Sequence, residues 1–295
     1  MNLPISRIDK KEYILGRTQS EYQRLNVQSK VWENTTSRML IDAGLQRGMH
    51  CLDAGCGTGA VSELIGKVVG KTGSVRGFDL DEGLGNYSYN ILNSKGTSNY
   101  FFERGNIDEI EKFEGAPFDF IYCRFLLIHL TNPIEAIKKM YKALKPGGTL
   151  LLQDYDFSTL HFSDDALQID QYFRELLMNA FTMMNKDPRI GIRLGELIER
   201  ATEKKAVGQE SSGIITSAKD AISMMRSAFE NMLPVLKKME LVNEEEINWF
   251  NKETVRVAAE FPYVTSFWPV LGSAWIKKII DPAYFKENII HKRFL

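Results

Sequence analysis

Short apolar runs alternate with amphipathic stretches between residues 49 and 154. The apolar runs cover residues 49–53, 74–80, 99–102, 118–123 and 149–153, and the stretches with helical spacing cover 60–69, 82–94 and 133–144. Strands that alternate with helices predict βαβ units and a parallel sheet. Because parallel strands are buried on both faces, their apolar runs need no strict alternation, which is the pattern seen here.

The regions on either side of this alternation have a helical pattern. Residues 1–45 are polar, with apolar positions at helical spacing, and predict an N-terminal helical arm. Beyond residue 156 an apolar stripe runs from Ala166 to Met184 and predicts a helix that Ser163 caps. Residues 190–201 predict another short helix.

Two further helices and a last strand are predicted towards the C-terminus. Ser217 and Asn243 each precede an amphipathic stretch and have an acidic residue three positions later, which is typical of helix N-termini. Pro234 should kink or divide the first of these helices. Residues 267–277 predict a final strand, with 207–216 as its weaker neighbour.

Composition and charge exclude several classes of protein. Of the 295 residues, 44% are hydrophobic and 25% are charged, which is typical of a globular domain. The net charge of 37 − 38 = −1 gives no general attraction to nucleic acid. The longest apolar-looking stretch, 118–130, is too short to span a bilayer, and no secretory signal is visible. We therefore predict neither a nucleic-acid nor a membrane partner.

The three cysteines form no CxxC pair and no Cys/His metal spacing. This usage predicts a reduced, cytoplasmic protein without a bound metal. The sequence leaves the oligomeric state open, and a homodimer is compatible with it.

A glycine-rich turn follows the first predicted strand and has the sequence Cys-Leu-Asp-Ala-Gly-Cys-Gly-Thr-Gly at 51–59. Glycines let the backbone approach a ligand closely, and a helix N-terminus beyond the turn offers unpaired N–H groups. Gly55, Gly57 and Ala60 also satisfy the loose dinucleotide fingerprint, so the glycines alone leave two cofactor classes open.

Two acidic residues favour a cationic ligand over a dinucleotide. Asp53 lies two residues before Gly55, where a carboxylate would repel a pyrophosphate and suits a positive charge. Asp79 ends the second predicted strand, where an acid can accept hydrogen bonds from both ribose hydroxyls. The alternatives are that Asp53 only orders the loop and that Asp79, like Asp81, is a turn or capping residue.

These motifs resemble those of class I S-adenosylmethionine-dependent methyltransferases. LDAGCGTG at 52–59 closely resembles the first motif of that family, and GFDLD at 77–81 resembles the second. RGNI at 104–107 resembles the adenine-contacting segment, although an acid is commoner than Asn106 there. LKPGGTL at 144–150 resembles the turn into the fifth strand. Within the superfamily, the sequence is most similar to small-molecule methyltransferases of ubiquinone and menaquinone biosynthesis.

The resemblance implies an α/β fold with a doubly wound, Rossmann-like sheet. This sheet would have seven mostly parallel strands and an antiparallel last strand. The implied organisation is an N-terminal helical arm over residues 1–45 and a methyltransferase domain over 46–295. Residues 156–260 would contribute a helical cap that covers the substrate.

The resemblance also implies how the cofactor, S-adenosylmethionine, and its product, S-adenosylhomocysteine, are bound. Gly55 and Gly57 would contact the methionine moiety, and Asp53 would lie near the sulfonium or amino end. Asp79 would hold the ribose, and Leu80 would pack on the adenine. Asn106 and Ile107 would contact the adenine edge, and the carbonyl of Cys123 would accept from the cofactor amino group. The other predicted cofactor-binding residues are Cys56, Gly59, Arg124 and Tyr13.

Arms similar to residues 1–45 fold over the cofactor in such enzymes. Tyr13 is predicted near the methyl group, because a sulfonium gains from an aromatic face. Arg17 or Arg24 would meet the cofactor carboxylate. A solvated helix with its charges outward is the alternative.

Methyl transfer from a sulfonium is an in-line displacement whose leaving group departs as a neutral thioether. Positioning of the nucleophile and exclusion of water can supply much of the rate, and a base helps only a protonated nucleophile. The candidate bases are His129, Asp154 and Tyr155, with Tyr13 and Tyr22 from the N-terminal arm. Asp154 follows the fifth strand on the side of the site and could equally be a loop acceptor. His129 follows a run of Leu and Ile, which favours a structural role.

The predicted substrate pocket depends on a local enrichment in methionine. Seven of the eleven methionines lie between residues 178 and 239, with aromatic residues interleaved. Flexible thioethers and aromatic faces suit an adaptable apolar pocket, although ordinary helix core is the alternative. The predicted pocket residues are Tyr22, Phe125, Asp154, Tyr155, Phe181, Met184 and Met225.

The sequence therefore favours an S-adenosylmethionine-dependent methyltransferase that acts on a small, apolar or aromatic molecule, with an O, N or C acceptor atom left open. One alternative is a Rossmann-type NAD(P)-dependent oxidoreductase, which Asp53 disfavours. A non-catalytic S-adenosylmethionine-binding protein is the other. No Asn/Asp-Pro-Pro-Tyr/Phe and no Pro-Cys follows the fourth strand, which disfavours methylation of adenine, amide nitrogen or cytosine carbon.

Overall fold

A computed structural model describes residues 19–96, 99–164 and 167–279. Seven strands of this part form one sheet: β1 (His50–Ala54), β2 (Ser74–Asp79), β3 (Tyr100–Arg104), β4 (Phe118–Arg124), β5 (Leu144–Asp156), β7 (Gly208–Ser212) and β10 (Val270–Lys277). Their order across the sheet is β3-β2-β1-β4-β5-β10-β7. The first five in this order are parallel to one another, and β10 is antiparallel to both of its neighbours. The prediction of a seven-stranded, mostly parallel sheet with an antiparallel last strand is confirmed.

Nine α-helices lie in the described ranges, and the boundaries predicted for the central ones agree closely with the structure. They are α1 (Gln19–Val31), α2 (Glu33–Asp42), α3 (Ala60–Val69), α4 (Glu82–Ser94), α5 (Pro133–Lys142), α6 (Ile169–Met183), α7 (Ile190–Thr202), α8 (Ala218–Lys238) and α9 (Glu244–Glu260). None of the helices in these ranges is both long and apolar enough to cross a membrane.

Local capping explains several helix starts. The side chain of Asn132 accepts a hydrogen bond from the backbone of α5, whose first residue is Pro133. Ser217 accepts from the N–H of Asp220 at 3.2 Å and begins α8. Asn243 forms a reciprocal capping box with Glu246 at the start of α9.

The structure corrects the predicted role of Ser163. Helix α6 begins at Ile169, and Ser163 instead pairs with Thr265 through hydrogen bonds of 2.9 and 3.0 Å. It adjoins a second, three-stranded sheet of order β6-β9-β8. The strands of this sheet are β6 (His161–Phe162), β8 (Ile215–Ser217) and β9 (Thr265–Phe267).

Two other expectations about the C-terminal region are tested by the structure. Helix α8 is continuous through Pro234, so the prediction that the proline divides it is wrong, while a kink stays a prediction. Apolar residues on both sides of the proline, such as Met232 and Leu236, are buried. The free energy gained by burying these residues offsets the loss of the backbone hydrogen bond that a proline cannot donate. The predicted last strand is interrupted, because Phe267 belongs to the small sheet and β10 begins only at Val270.

Helices cover both faces of the large sheet. One buried cluster joins α2 and α3 to one face, and a larger cluster joins α5 to α9 to the other. Helix α7 lies against β5 and β10 so closely that a Cβ on Gly272 would come 1.9 Å from the carbonyl oxygen of Gly191. Helix α1 packs against α8 beyond the carboxyl ends of the strands, and this arrangement encloses a cavity.

Candidate active site

A cavity of about 330 Å³ lies where the parallel strands end. Its floor is formed by residues that directly follow four strands: Gly55 after β1, Leu80 after β2, Gly105 after β3 and Phe125 after β4. Ligands of open α/β sheets bind in the crevice outside these carboxyl ends. Helix α1 lines one side of the cavity, and α6 and α8 line another.

The glycine-rich turn is fixed to the end of β2 by Asp79. One carboxylate oxygen of Asp79 accepts the N–H of Gly57 at 2.9 Å, and the other accepts the N–H of Asp81 at 2.9 Å. Burial raises the pKa of Asp79 above its ordinary value. Gly55 and Gly57 have φ angles of +76° and +51°, which only glycine adopts at low cost. Asp81, not Asp79, caps α4, so the capping alternative for Asp79 is wrong, whereas its hydrogen bond from the N–H of Asp81 is that of a turn residue.

Asp53 is buried at the end of β1, behind the turn. Its carboxylate accepts a hydrogen bond from the Ser62 hydroxyl at 2.6 Å, which fixes it to α3. Burial raises the pKa of Asp53 to about 6, and the Ser62 hydrogen bond and the cation of Arg124 act in the opposite direction. A buried carboxylate of this kind is stabilised by a cationic ligand nearby.

The segment after β3 completes this end of the cavity. Asn106 and Ile107 line it opposite Leu80, which is 42% exposed. The side-chain oxygen of Asn106 accepts the N–H of Asp108 at 3.0 Å, so this amide is held in a local turn. Gly105 is required by packing, since a Cβ there would lie 2.5 Å from the ring of Phe78.

These residues fit S-adenosylmethionine. Carboxylates at Asp53 and Asp79 suit an ammonium group and ribose hydroxyls, and the apolar side chains of Leu80 and Ile107 suit a flat adenine. A Cβ on Gly57 would meet no atom within 4 Å, so the turn borders open space rather than packed protein.

The opposite wall of the cavity is aromatic. The ring of Tyr155 stacks on Phe125 with 4.3 Å between centroids, and Phe157 lies 5.4 Å from both Tyr155 and Phe181. The guanidinium of Arg124 lies 5.0 Å from the centre of the Phe125 ring. Phe125 has a φ of +57°, an uncommon conformation for a bulky residue that is typical of functional sites.

Helix α1 supplies a chain of buried polar contacts to this wall. Glu21 receives two hydrogen bonds from the guanidinium of Arg24, at 2.6 and 2.7 Å, and Arg24 also donates to the side-chain oxygen of Gln28 at 3.2 Å. The amide nitrogen of Gln28 donates to the hydroxyl of Tyr155 at 3.1 Å. Arg24, predicted to meet the cofactor carboxylate, is therefore paired with a carboxylate of the protein itself.

Most of the predicted site residues are brought together in this cavity. Asp53, Gly55, Cys56, Gly57, Asp79, Leu80, Asn106, Ile107 and Arg124 line it, as do Tyr22, Phe125, His129, Tyr155, Phe181 and Met225. Tyr13 and Arg17 lie outside the described residues.

Two predicted site residues, Asp154 and Met184, have side chains that do not line the cavity. Asp154 is fully buried behind it and accepts the backbone N–H groups of Ile128 and Tyr155, which is the loop-acceptor role. Met184 lies in the helix core. Gly59 precedes α3, where a Cβ would come 2.7 Å from Ser88, and Cys123 is buried within β4. The predictions that place the side chains of Asp154 and Met184 at the site are corrected, whereas the backbone contacts predicted for Gly59 and for the carbonyl of Cys123 stay predictions.

His129 lines the cavity as a neutral imidazole. Burial lowers its pKa to about 3, and the cations of Lys186 and Arg24 lower it further. Its ring lies 5.8 Å from that of Phe181. No group of three or more His, Cys, Asp or Glu side chains within the described ranges is arranged to hold a metal ion.

Several lining residues were not predicted. Phe157 directly follows β5, so its position after a strand was a usable signal. Gln28 and Trp268 gave no signal, because their roles depend on partners distant in sequence: Tyr155 for Gln28 and Thr216 for Trp268.

Comparison with known proteins agrees with this geometry. The pattern of the family described as "Methyltransferase domain" matches residues 45–210, more than half of the chain. The chain belongs to this family, and its fold is that of the S-adenosylmethionine-dependent methyltransferases of class I.

The chain is also similar to particular relatives. It is 32% identical over 145 residues to a demethylmenaquinone methyltransferase of Staphylococcus aureus, and the match covers 48% of this chain and 58% of that protein. The fold resembles a putative methyltransferase from Bacillus halodurans, with a TM-score of 0.56, 19% identity and coverage of 83% and 99% of the two chains. It also resembles a coclaurine N-methyltransferase bound to N-methylheliamine and S-adenosylhomocysteine (TM-score 0.52, 18% identity, coverage 83% and 72%).

Proposed function

We propose that this chain transfers the methyl group of S-adenosylmethionine to a small apolar or aromatic molecule. The observation that carries the proposal is one cavity with two chemically different ends. The end formed by Asp53, Gly57 and Asp79 is polar and suits the cofactor. The end formed by Phe157, Phe181 and Met225 is apolar and suits an acceptor.

The cofactor, when bound, supplies an electrophilic methyl group on a sulfonium. The chain's own contribution is to bind the cofactor and to enclose the reacting groups. Asp79 would bind hydroxyl groups through a carboxylate that the glycine-rich turn already orients. Helix α1 closes over the cavity through Tyr22, which donates to Asp81 at 3.2 Å, and so keeps water away from the reacting groups.

Neither His129 nor Asp154 is suited to act as a general base on the acceptor. His129 lines it, but its low pKa disfavours the imidazolium that proton transfer would create. Asp154 has the raised pKa of a base, about 7, yet it lies behind the wall. This arrangement favours an acceptor that is already nucleophilic at working pH.

The relative from Staphylococcus aureus acts, as its name states, on demethylmenaquinone. An aromatic acceptor agrees with the row of rings formed by Phe125, Tyr155 and Phe157. Because the matched segment covers little more than half of that relative, the acceptor of this chain is inferred from its own cavity. A homodimer and a cytoplasmic location stay predictions.

Two measurements test the proposal. Calorimetry with S-adenosylmethionine and with NAD should detect binding of the first alone. Transfer of a labelled methyl group to a panel of aromatic acceptors should then exceed the rate without protein. Binding of NAD would overturn the cofactor assignment, whereas tight S-adenosylmethionine binding without any transfer across the panel would favour a non-catalytic binding protein.

A further inference from the structure

Tyr155 has an unusual hydrogen-bond environment at the cavity wall. Its hydroxyl accepts the indole N–H of Trp32 at 2.6 Å and the amide N–H of Gln28 at 3.1 Å. An indole nitrogen is a donor only, so Trp32 cannot accept a proton from Tyr155.

The amide of Gln28 is also fixed as a donor towards Tyr155. Its oxygen accepts from the guanidinium of Arg24 at 3.2 Å, and a guanidinium has no acceptor atom. Arg24 is held in turn by two hydrogen bonds to Glu21. If the amide of Gln28 were flipped, its NH₂ group would face the N–H groups of Arg24, and two donors cannot form a hydrogen bond. The NH₂ group therefore stays directed at Tyr155.

Both acceptor positions of the Tyr155 oxygen are thus filled, and its own proton needs a different partner. No side chain or backbone group in the described ranges accepts it within hydrogen-bond distance. Burial raises the pKa of Tyr155, so the hydroxyl keeps its proton at neutral pH. Tyr155 lines the cavity, so the cavity is the open space beside this residue in which a partner for the proton can bind.

We propose that Tyr155 is a fixed hydrogen-bond donor to the acceptor molecule, with Gln28, Trp32 and Arg24 as positioning residues. The ligand class that it selects is a planar aromatic molecule with a hydrogen-bond-accepting oxygen, such as a carbonyl, an ether or a phenolate. The oxygen would meet the hydroxyl while the ring lies along the aromatic wall of Phe125 and Phe157. This rests on the proposed function and names its acceptor class.

The same geometry rules Tyr155 out as a general base. A base must accept a proton from the substrate, and both lone-pair directions of this oxygen are occupied by donors. A donor beside an aromatic oxygen instead stabilises negative charge on that oxygen, which favours the ionised form of a phenol or enol acceptor.

The test measures binding of two ligands of the same shape, 2-acetylnaphthalene and 2-ethylnaphthalene, to the full chain by equilibrium dialysis. Only the first carries an accepting oxygen. The wild-type protein should bind it about five to ten times more tightly, which corresponds to one well-placed hydrogen bond. Tyr155→Phe should remove this preference and leave the affinity for 2-ethylnaphthalene within about twofold.

Two further variants separate the donor role from a structural one. Gln28→Glu places a carboxylate where the Tyr155 proton can be accepted, so the preference should disappear although the hydroxyl remains. Tyr172→Phe removes a hydroxyl that has no partner within the described residues, at a ring outside the cavity lining, and should leave the preference intact.

The proposal is overturned if Tyr155→Phe keeps the preference, if it weakens both ligands equally, or if neither ligand binds the wild-type protein. Since the readout is binding, it is independent of turnover. Absence of methyl transfer with the preference intact would count against the proposed function alone.

Discussion

The carboxylate of Asp79, at the end of β2, accepts the backbone N–H of Gly57 across 2.9 Å. This contact joins the first two strands at the point where the cofactor is expected. It orients a carboxylate that has no opposite charge bonded to it among the described residues, so its remaining capacity is available to hydroxyl groups.

Replacement of Asp79 should weaken cofactor binding. Asp79→Ala removes both the acceptor for ribose hydroxyls and the contact with Gly57, and calorimetry should show a tenfold to hundredfold loss of S-adenosylmethionine affinity, about 1.5–3 kcal/mol. Asp119→Asn is the matched control, because Asp119 pairs with Lys145 and lies outside the cavity lining. Unchanged affinity in Asp79→Ala would show that the ribose is bound elsewhere.

A methyl group on Gly272 should destabilise the whole domain. Its Cβ would lie 1.9 Å from the carbonyl oxygen of Gly191, a backbone atom at the start of α7 that cannot turn aside. We expect Gly272→Ala to lower the free energy of unfolding by about 3 kcal/mol in urea titrations. Gly96→Ala, with no atom within 4 Å of its Cβ but a φ of +77°, should cost only about 1 kcal/mol.

Asp154 should make stability fall as the pH rises. Burial raises its pKa to about 7 in the folded chain from an ordinary value of 3.8. Between about pH 4 and pH 7 the folded state therefore binds the proton that the unfolded state has released, and folding loses free energy as the pH increases. Asp154→Asn cannot ionise, so its stability should vary less with pH over this window.

Asp53→Asn offers a second measurement of the same effect. The pKa of Asp53 is raised to about 6, so this residue also lowers the free energy of unfolding as the pH rises. The loss should be complete near pH 6, below the pH 7 expected for Asp154. Urea titrations from pH 4 to pH 8 would resolve the two windows. A steeper pH dependence in either asparagine variant would contradict these assignments.

Substitutions of Met225 and Met184 should have different effects, because one residue lines the cavity and the other lies in the core. Met225 lines the cavity, whereas Met184 is fully buried outside it. Met225→Ala should raise the KM for an aromatic acceptor, because its side chain lines the cavity. Met184→Ala should lower the free energy of unfolding by about 2–5 kcal/mol with little change in KM. Equal effects of the two substitutions on KM would indicate that the cavity does not bind the acceptor.

The sequence by itself determined the sheet and the cofactor end of the site. Apolar runs, glycine turns and caps such as Asn243 are local features, because each depends on neighbours within a few residues. The same holds for Asp53 and Asp79, since the end of a parallel strand always faces the same edge of the sheet. These residues were found without knowledge of their partners.

Only the tertiary structure decided the acceptor end. Asp154 and Met184 are of the same residue types as residues that line the cavity. Their side chains are nevertheless buried in the core, because packing decides which side of a strand or helix faces the cavity. The proton of Tyr155 is directed by Gln28 and Trp32, which lie 127 and 123 positions away in the chain. Contacts between such distant residues follow from packing of the whole fold, which no local pattern encodes.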